Sequence, residues 1–265
     1  MTSTACPDVK PNAAPGLRLV GTMNRMWDVD RQCAALGLAP HSASPPDGTD
    51  ADGPTLLLAG PATIETIRHS LVPPYAGFLE IGSDGLAGIG QRCIETVRAG
   101  GMALSLTATS ACTVPLVELI AVAIRRRLAL ANGENAELME ICLAEAVSNA
   151  IIHGNLEIPN HLRATPKGFD TFRQVMRERL SDPVMASRRI EIHVLARQPG
   201  SFTLAVSDQG PGFNLAAQIK KEARVDARSG RGLGLIRRAC ATIESEDGGR
   251  TLVMTFPWES ATEGS

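Results

Sequence analysis

Three segments in a fixed order restrict what this chain can become. The first is a helix-patterned run over 135–155, NAELMEICLAEAVSNAIIHGN, in which Glu145 and Asn149 stand four residues apart. The second is an apolar β-patterned run at 201–208, SFTLAVSD, that breaks directly into Gln209-Gly210-Pro211-Gly212-Phe213. The third is Gly230-Arg231-Gly232-Leu233-Gly234-Leu235, which opens a further helical pattern read over 233–244. Residues four apart share a helix face, so Glu145 and Asn149 emerge side by side. Their neighbours Ala144, Ala146, Ala150, Ile151 and Ile152 are small or apolar and place the pair on a largely buried helix.

Each segment carries its own chemistry and its own plainer alternative. A carboxylate at 145 can take a proton from a hydroxyl or water, and the amide oxygen of Asn149 can hold a hard cation such as Mg²⁺. Alone, such a pair also occurs on many solvated helix faces. Asp208 at a strand end accepts hydrogen bonds and donates none, which favours adenine's exocyclic amine over guanine's carbonyl, the charge-assisted bond contributing roughly 1.5–3 kcal/mol. A bare Asx turn uses the same residues. Glycines at 230, 232 and 234 leave the free N–H groups of a helix start open to phosphate oxygens. Over 215–238 seven basic residues (Lys220, Lys221, Arg224, Arg228, Arg231, Arg237, Arg238) face two acidic ones. That local surplus suits a cover over a triphosphate, here placed at 215–229, although charge runs are commonly solvated helices. His153 reads as a helix-end residue.

The remaining pattern is α/β throughout. Residues 1–15 form a tail, followed by alternating strand and helix signals: strands at 17–21, 55–60, 77–82 and 102–108, helices at 26–38, 62–71, 88–100 and 114–130. A Pro/Gly/Asp-rich loop fills 42–54. Residues 156–187 form a polar insertion with a helical centre at 168–180 that stops at Ser181-Asp182-Pro183. Strands at 188–197 and 201–208 read as an antiparallel pair, and 248–256 closes the fold as a strand. Several functions drop out. The net charge of −2 gives no field to draw nucleic acid or an anionic membrane, and 3% aromatics leaves few stacking platforms. The longest apolar run, 114–124, holds Pro115 and Glu118, too short and polar to span a bilayer. No signal peptide pattern begins the chain, so the expected location is cytoplasmic. Six scattered cysteines without a CxxC pair argue against a structural zinc or a disulfide framework, and the histidines lack metal-ligand spacing. No GxxxxGK[ST] occurs, and the glycines at 82–90 do not make a GxGxxG.

Taken in order, the three segments resemble the Bergerat-fold ATPases, the superfamily of gyrase, histidine kinases, mismatch-repair ATPases and heat-shock chaperones. LAEAVSNAIIHGN (143–155) looks like its N box, DQGPGF (208–213) its first glycine box and GRGLGLI (230–236) its second. Glu four residues before Asn, then a His-Gly pair, is most similar to the bacterial anti-sigma-factor serine kinases. The resemblance covers about 101–258. It implies an α/β sandwich, a mixed sheet backed by helices, with ATP between helix and lid. By it Glu145 is the general base, Asn149 the Mg²⁺ ligand, and Asp208 the adenine reader. Gly210 and Gly212 let the ring approach, while Arg231, Gly232, Leu233 and Gly234 shape the phosphate loop. Thr251 resembles the threonine that sits near adenine. The insertion at 156–187 departs from the simplest members.

Residues 16–100 are similar to a response-regulator receiver, an N-terminal α/β domain ahead of the ATPase at 101–258, with a second tail at 259–265. Its phosphorylation chemistry is missing, because Ala59-Gly60 ends the strand that would need an Asp and 17–108 holds no Lys. A docking or dimerising role is therefore expected. The whole reads as an ATP- and Mg²⁺-dependent serine/threonine kinase that phosphorylates a protein partner, an anti-anti-sigma-like substrate, and engages a sigma factor. The alternative is a non-catalytic ATP-sensing module that binds protein.

Overall fold

A computed structural model describes residues 17–21, 29–38, 54–130, 133–163, 168–198, 200–222 and 231–258. The N-terminal part alternates β1 (Arg18–Gly21), α1 (Val29–Ala35), β2 (Thr55–Ala59), α2 (Ile64–Ser70), β3 (Tyr75–Glu80), α3 (Gln91–Arg98) and β4 (Met102–Thr107). These four strands are parallel, and β3 and β4 are buried at every position. Continuous apolar runs such as MALSLT follow from that, since both faces of a parallel sheet are covered. The strands lie in sequence order, whereas the receiver-type doubly wound order is 2-1-3-4-5. Among the described residues the α/β character expected for 16–100 is present, while the order of the described strands differs from a receiver's.

β4 then pairs antiparallel with β5 (Arg189–Gln198), which turns at Gly200 into β6 (Ser201–Ser207). β8 (Thr251–Pro257) and β7 (Thr242–Glu246) complete one eight-stranded mixed sheet in the order β1-β2-β3-β4-β5-β6-β8-β7. β4 thus belongs to both halves, parallel to one neighbour and antiparallel to the other.

One sheet face is backed by the longer helices α5 (Leu116–Arg127) and α6 (Glu134–Asn149), with α2, α4 (Ala108–Thr113) and α10 (Arg231–Ala239). Helix α5 buries Leu116, Leu119, Ile120, Ala123 and Ile124, the spacing of one apolar stripe, and its last turn, Arg125-Arg126-Arg127, favours the negative helix end. Each large aliphatic buried there contributes roughly 1.5–3 kcal/mol. The stripe meets Ile190, Ile192, Val194, Phe202, Leu204, Val206, Met254 and Phe256 from alternate strand positions. The other face is covered by α1 and α3 over β1–β5, with Cys93, Ile94 and Val97 of α3 fully buried.

Three expected helices end differently. The run read as a helix over 114–130 is α5, shorter at both ends, and the residues before it form the short α4, whose start is capped by the Thr107 hydroxyl accepting from the Ser110 amide at 3.3 Å. The run over 135–155 is α-helical only to Asn149 and continues as a π-turn, Ala150–Asn155. The pattern over 233–244 is α10 to Ala239 and then β7, because Thr242 and Ile243 are β-branched and the turn at Asp247–Gly249 folds the segment back on β8. The insertion holds α7 (Gly168–Ser181) and a second helix, α8 (Pro183–Ser187). Asp182 ends the first and caps the second, its carboxylate accepting from the Val184 amide at 2.9 Å.

Candidate functional site

The first two sequence segments meet at the end of β6, and the third packs on the first as helix α10. Asp208 follows the last strand residue, and its amide donates to the Arg250 carbonyl at 2.9 Å, which fixes it beside the start of β8. Its Oδ1 accepts from the Gly210 amide at 2.8 Å. Among the described residues Oδ2 has no hydrogen-bond partner, so one carboxylate oxygen is free for a ligand. Burial pushes this carboxyl up from 3.8 to about 6, against the Gly210 amide and the charges of Arg250 and Arg188, which pull it down.

Close backbone approach explains the glycines. A Cβ at Gly154 would stand 2.4 Å from the Asp208 Cγ, and one at Gly210 would stand 2.4 Å from the Gly154 carbonyl oxygen. The π-turn and the first glycine loop are therefore in direct contact, and neither position admits a side chain. Gly212 has φ +79° and faces Gly248, so it is a third position that excludes a side chain, here on two grounds.

Glu145 is half-buried and Asn149 exposed on the last two turns of α6. Asn149 precedes Gly154 by five residues, which puts the base candidate, the cation-ligand candidate and the acid's contact point on one continuous helical segment. The π-turn changes the winding after Asn149, a feature common at functional sites. His153 lies within it and donates from Nδ1 to the Ile158 carbonyl at 2.5 Å, a helix-end role.

Helix α10 packs on α6, and just past its end Cys240 meets Cys142 of α6. Their interaction pulls the Cys142 thiol below its ordinary pKa and, with burial, pushes the Cys240 thiol well above it. Arg231, Gly232, Leu233 and Gly234 form the first turn of α10, the position a phosphate-binding helix start needs. Gly230 and residues 223–229 of the expected lid lie outside the described residues; its first part is α9 (Leu215–Glu222). Thr251 pairs with Ser207 across the sheet. Its hydroxyl is 2.9 Å from the Ser207 hydroxyl and donates to Asp247 Oδ2 at 2.6 Å, on the α3 side of the sheet.

Two cavities flank the glycine loop. One of about 680 Å³ lies between the loop and α9, lined by Gly212, Phe213, Leu215, Ile219 and Gly248. The other, about 610 Å³, opens on the α3 side against Ser207, Asp208, Thr251, Arg92 and Glu191. Neither is lined by Glu145 or Asn149.

Sequence spacing missed the residues that hold this loop. Asn155 is fully buried; its Oδ1 accepts from the Gln209 amide at 2.8 Å and its Nδ2 donates to the Arg189 carbonyl at 3.1 Å. Gln209 in turn accepts from the Arg189 amide at 2.8 Å and donates to the Gly88 carbonyl at 2.8 Å. Arg189, 2% exposed, donates to the carbonyls of Ala87 (2.7 Å), Gly85 (2.8 Å) and Glu80 (3.0 Å). The 82–90 loop of the N-terminal part is thereby tied to the first glycine box.

A mixed sheet backed by helices, with an acid and a glycine loop at one strand end held against the helix of Glu145 and Asn149, defines a nucleotide-binding α/β sandwich of the Bergerat type. The histidine kinase-like ATPase domain family matches residues 106–256, more than half of the chain, and the chain belongs to that family. The membership implies ATP binding and a regulatory role. No curated protein matches the chain at a significant level. Among the described residues no helix is long and apolar enough to cross a membrane.

Proposed function

We propose that this chain is an ATP-dependent protein serine/threonine kinase of the anti-sigma-factor type, acting by partner switching. The observation that carries the reading is the contact of Gly154 with Asp208, which brings the helix of Glu145 and Asn149 to the purine-reading acid. The residues fit the ligand. Asp208 offers one unpartnered carboxylate oxygen for the adenine amine, and the first turn of α10 offers amides for phosphate. The exposed amide of Asn149 would ligate Mg²⁺, which when bound neutralises charge on the transferring phosphoryl group.

In this reading Glu145 accepts the proton of a partner's serine or threonine hydroxyl as it attacks the γ-phosphorus in line. Arginines of the 215–238 segment stabilise the charge that spreads over the phosphoryl oxygens. The phosphate adds up to about two negative charges to the partner and releases or creates a docked interface. The partner is an anti-anti-sigma-like protein, with a sigma factor as the second client.

The test is incubation with radiolabelled ATP, Mg²⁺ and candidate partners, scored for phosphoserine and phosphothreonine. Transfer by the wild type that Glu145→Gln loses while still binding ATP supports the kinase. Equal ATP binding with no transfer by either protein establishes the non-catalytic ATP-sensing module instead.

A further inference from the structure

Three side chains that the sequence keeps far apart converge beneath α3, where spacing gave no reason to expect a metal cluster. Cys93 lies on the inner side of α3. Glu191 and His193 stand two residues apart on β5 and so on the same face of the sheet. All three are buried, at 0%, 6% and 3% exposure. The Cys93 Sγ is 3.4 Å from His193 Nε2, the Glu191 Oε2 is 3.6 Å from the same nitrogen, and the three atoms lie within 4.8 Å of one another.

That arrangement does not suit a nucleophilic relay. A Cys–His–acid relay places the acid on the ring nitrogen remote from sulfur. Here thiol and carboxylate both approach Nε2, and Nδ1 has no hydrogen-bond partner among the described residues. Cys93 is also sealed from solvent. Donor atoms that converge on one point instead of forming a chain are what a cation requires. A tetrahedral zinc with Zn–S of about 2.3 Å and Zn–N or Zn–O of about 2.0–2.1 Å has an S···N edge of roughly 3.5 Å and an N···O edge of roughly 3.3 Å. The two measured separations lie close to those edges.

The carboxylate is already oriented. Its Oε1 accepts from the Gly90 amide at 2.8 Å and from the Ser105 hydroxyl at 3.0 Å, which leaves Oε2 turned to the cluster. Charge balance agrees as well. A divalent ion held by thiolate, carboxylate and neutral imidazole carries no net charge, the form that burial tolerates. Sulfur, nitrogen and oxygen donors together select a borderline cation over Mg²⁺ or Ca²⁺. Glu191 also lines the 610 Å³ cavity, so water can supply a fourth ligand.

We propose that Cys93, Glu191 and His193 bind one divalent cation of the zinc class, pinning α3 to β5. The proposal stands apart from the nucleotide site and does not depend on kinase activity. The test uses the full chain, stripped with a chelator and titrated with Co²⁺ as a spectroscopic probe, then with Zn²⁺. The expected result is one equivalent of Co²⁺ with a thiolate-to-cobalt absorption band that Zn²⁺ displaces. Cys93→Ser, which preserves shape, is expected to abolish the band and weaken binding beyond the roughly 10–100-fold of an outer-shell change. Cys112→Ser and Cys240→Ser are expected to leave both unchanged, and Zn²⁺ is expected to raise the melting temperature of wild type but not of Cys93→Ser. Absence of stoichiometric Co²⁺ binding by the wild type, or an unchanged band in a Cys93→Ser protein with native circular dichroism, overturns the proposal.

Discussion

At the residue scale Asp208 does two opposed things. Burial raises its carboxyl to about 6, so the charged form that a purine amine prefers is the form the empty fold resists. ATP affinity is therefore expected to fall as pH drops through about 6, measured by titration calorimetry between pH 5 and 8. For stability the sign runs the other way. The folded value lies above the unfolded 3.8, so the cost is absent below that pH, grows up to about 6 and is constant above it. Nucleotide-free Asp208→Asn is expected to melt higher than wild type at pH 8, with the difference vanishing near pH 4. Glu145 has a separate role in this account. Glu145→Gln is expected to bind ATP as wild type does and to slow phosphoryl transfer by about 10²–10⁴-fold, read by single-turnover kinetics.

At the scale of elements, the π-turn after α6 ties helix to sheet. Asn155 satisfies two backbone groups there, the Gln209 amide and the Arg189 carbonyl. Asn155→Ala leaves both unpaired, and unfolding by urea is expected to show a loss of about 2–4 kcal/mol. This residue illustrates what the sequence could and could not reveal. The Glu145–Asn149 pair, the Asp208 loop and the 231–234 turn could be picked out as candidates because the chemistry proposed for them depends on short spacings along one helix or one turn. Asn155 gives no such signal, since its partners lie 54 and 34 residues away. The same holds for β7, where Ile243 kept a helical spacing while its real constraint was pairing with Met254. Local periodicity predicts an element only where no distant strand competes for it.

At the scale of the molecule, the N-terminal part is welded to the nucleotide-binding part. A single sheet runs through both, with Ala103 paired to Gly77 on one side and His193 on the other. Arg189 and Gln209 bind the 82–90 loop, and Glu191 accepts from the Gly90 amide. Helix α3 shields β4 and β5, so the two parts are expected to melt in one calorimetric transition, and a chain shortened to 101–265 is expected to lose cooperative unfolding. The α/β class was readable from pattern, and the sandwich was expected from the resemblance that the three ordered segments carry. The continuity of the sheet was not, because strand order is set by long-range pairing and leaves no trace in spacing. The most direct test of the whole account is calorimetric titration of the full chain with ATP and Mg²⁺ at pH 7.5, in wild type and in Asp208→Asn. The account predicts saturable binding that the substitution weakens by about 10–100-fold. Heat from the variant equal to that of the wild type, or none from the wild type, contradicts it.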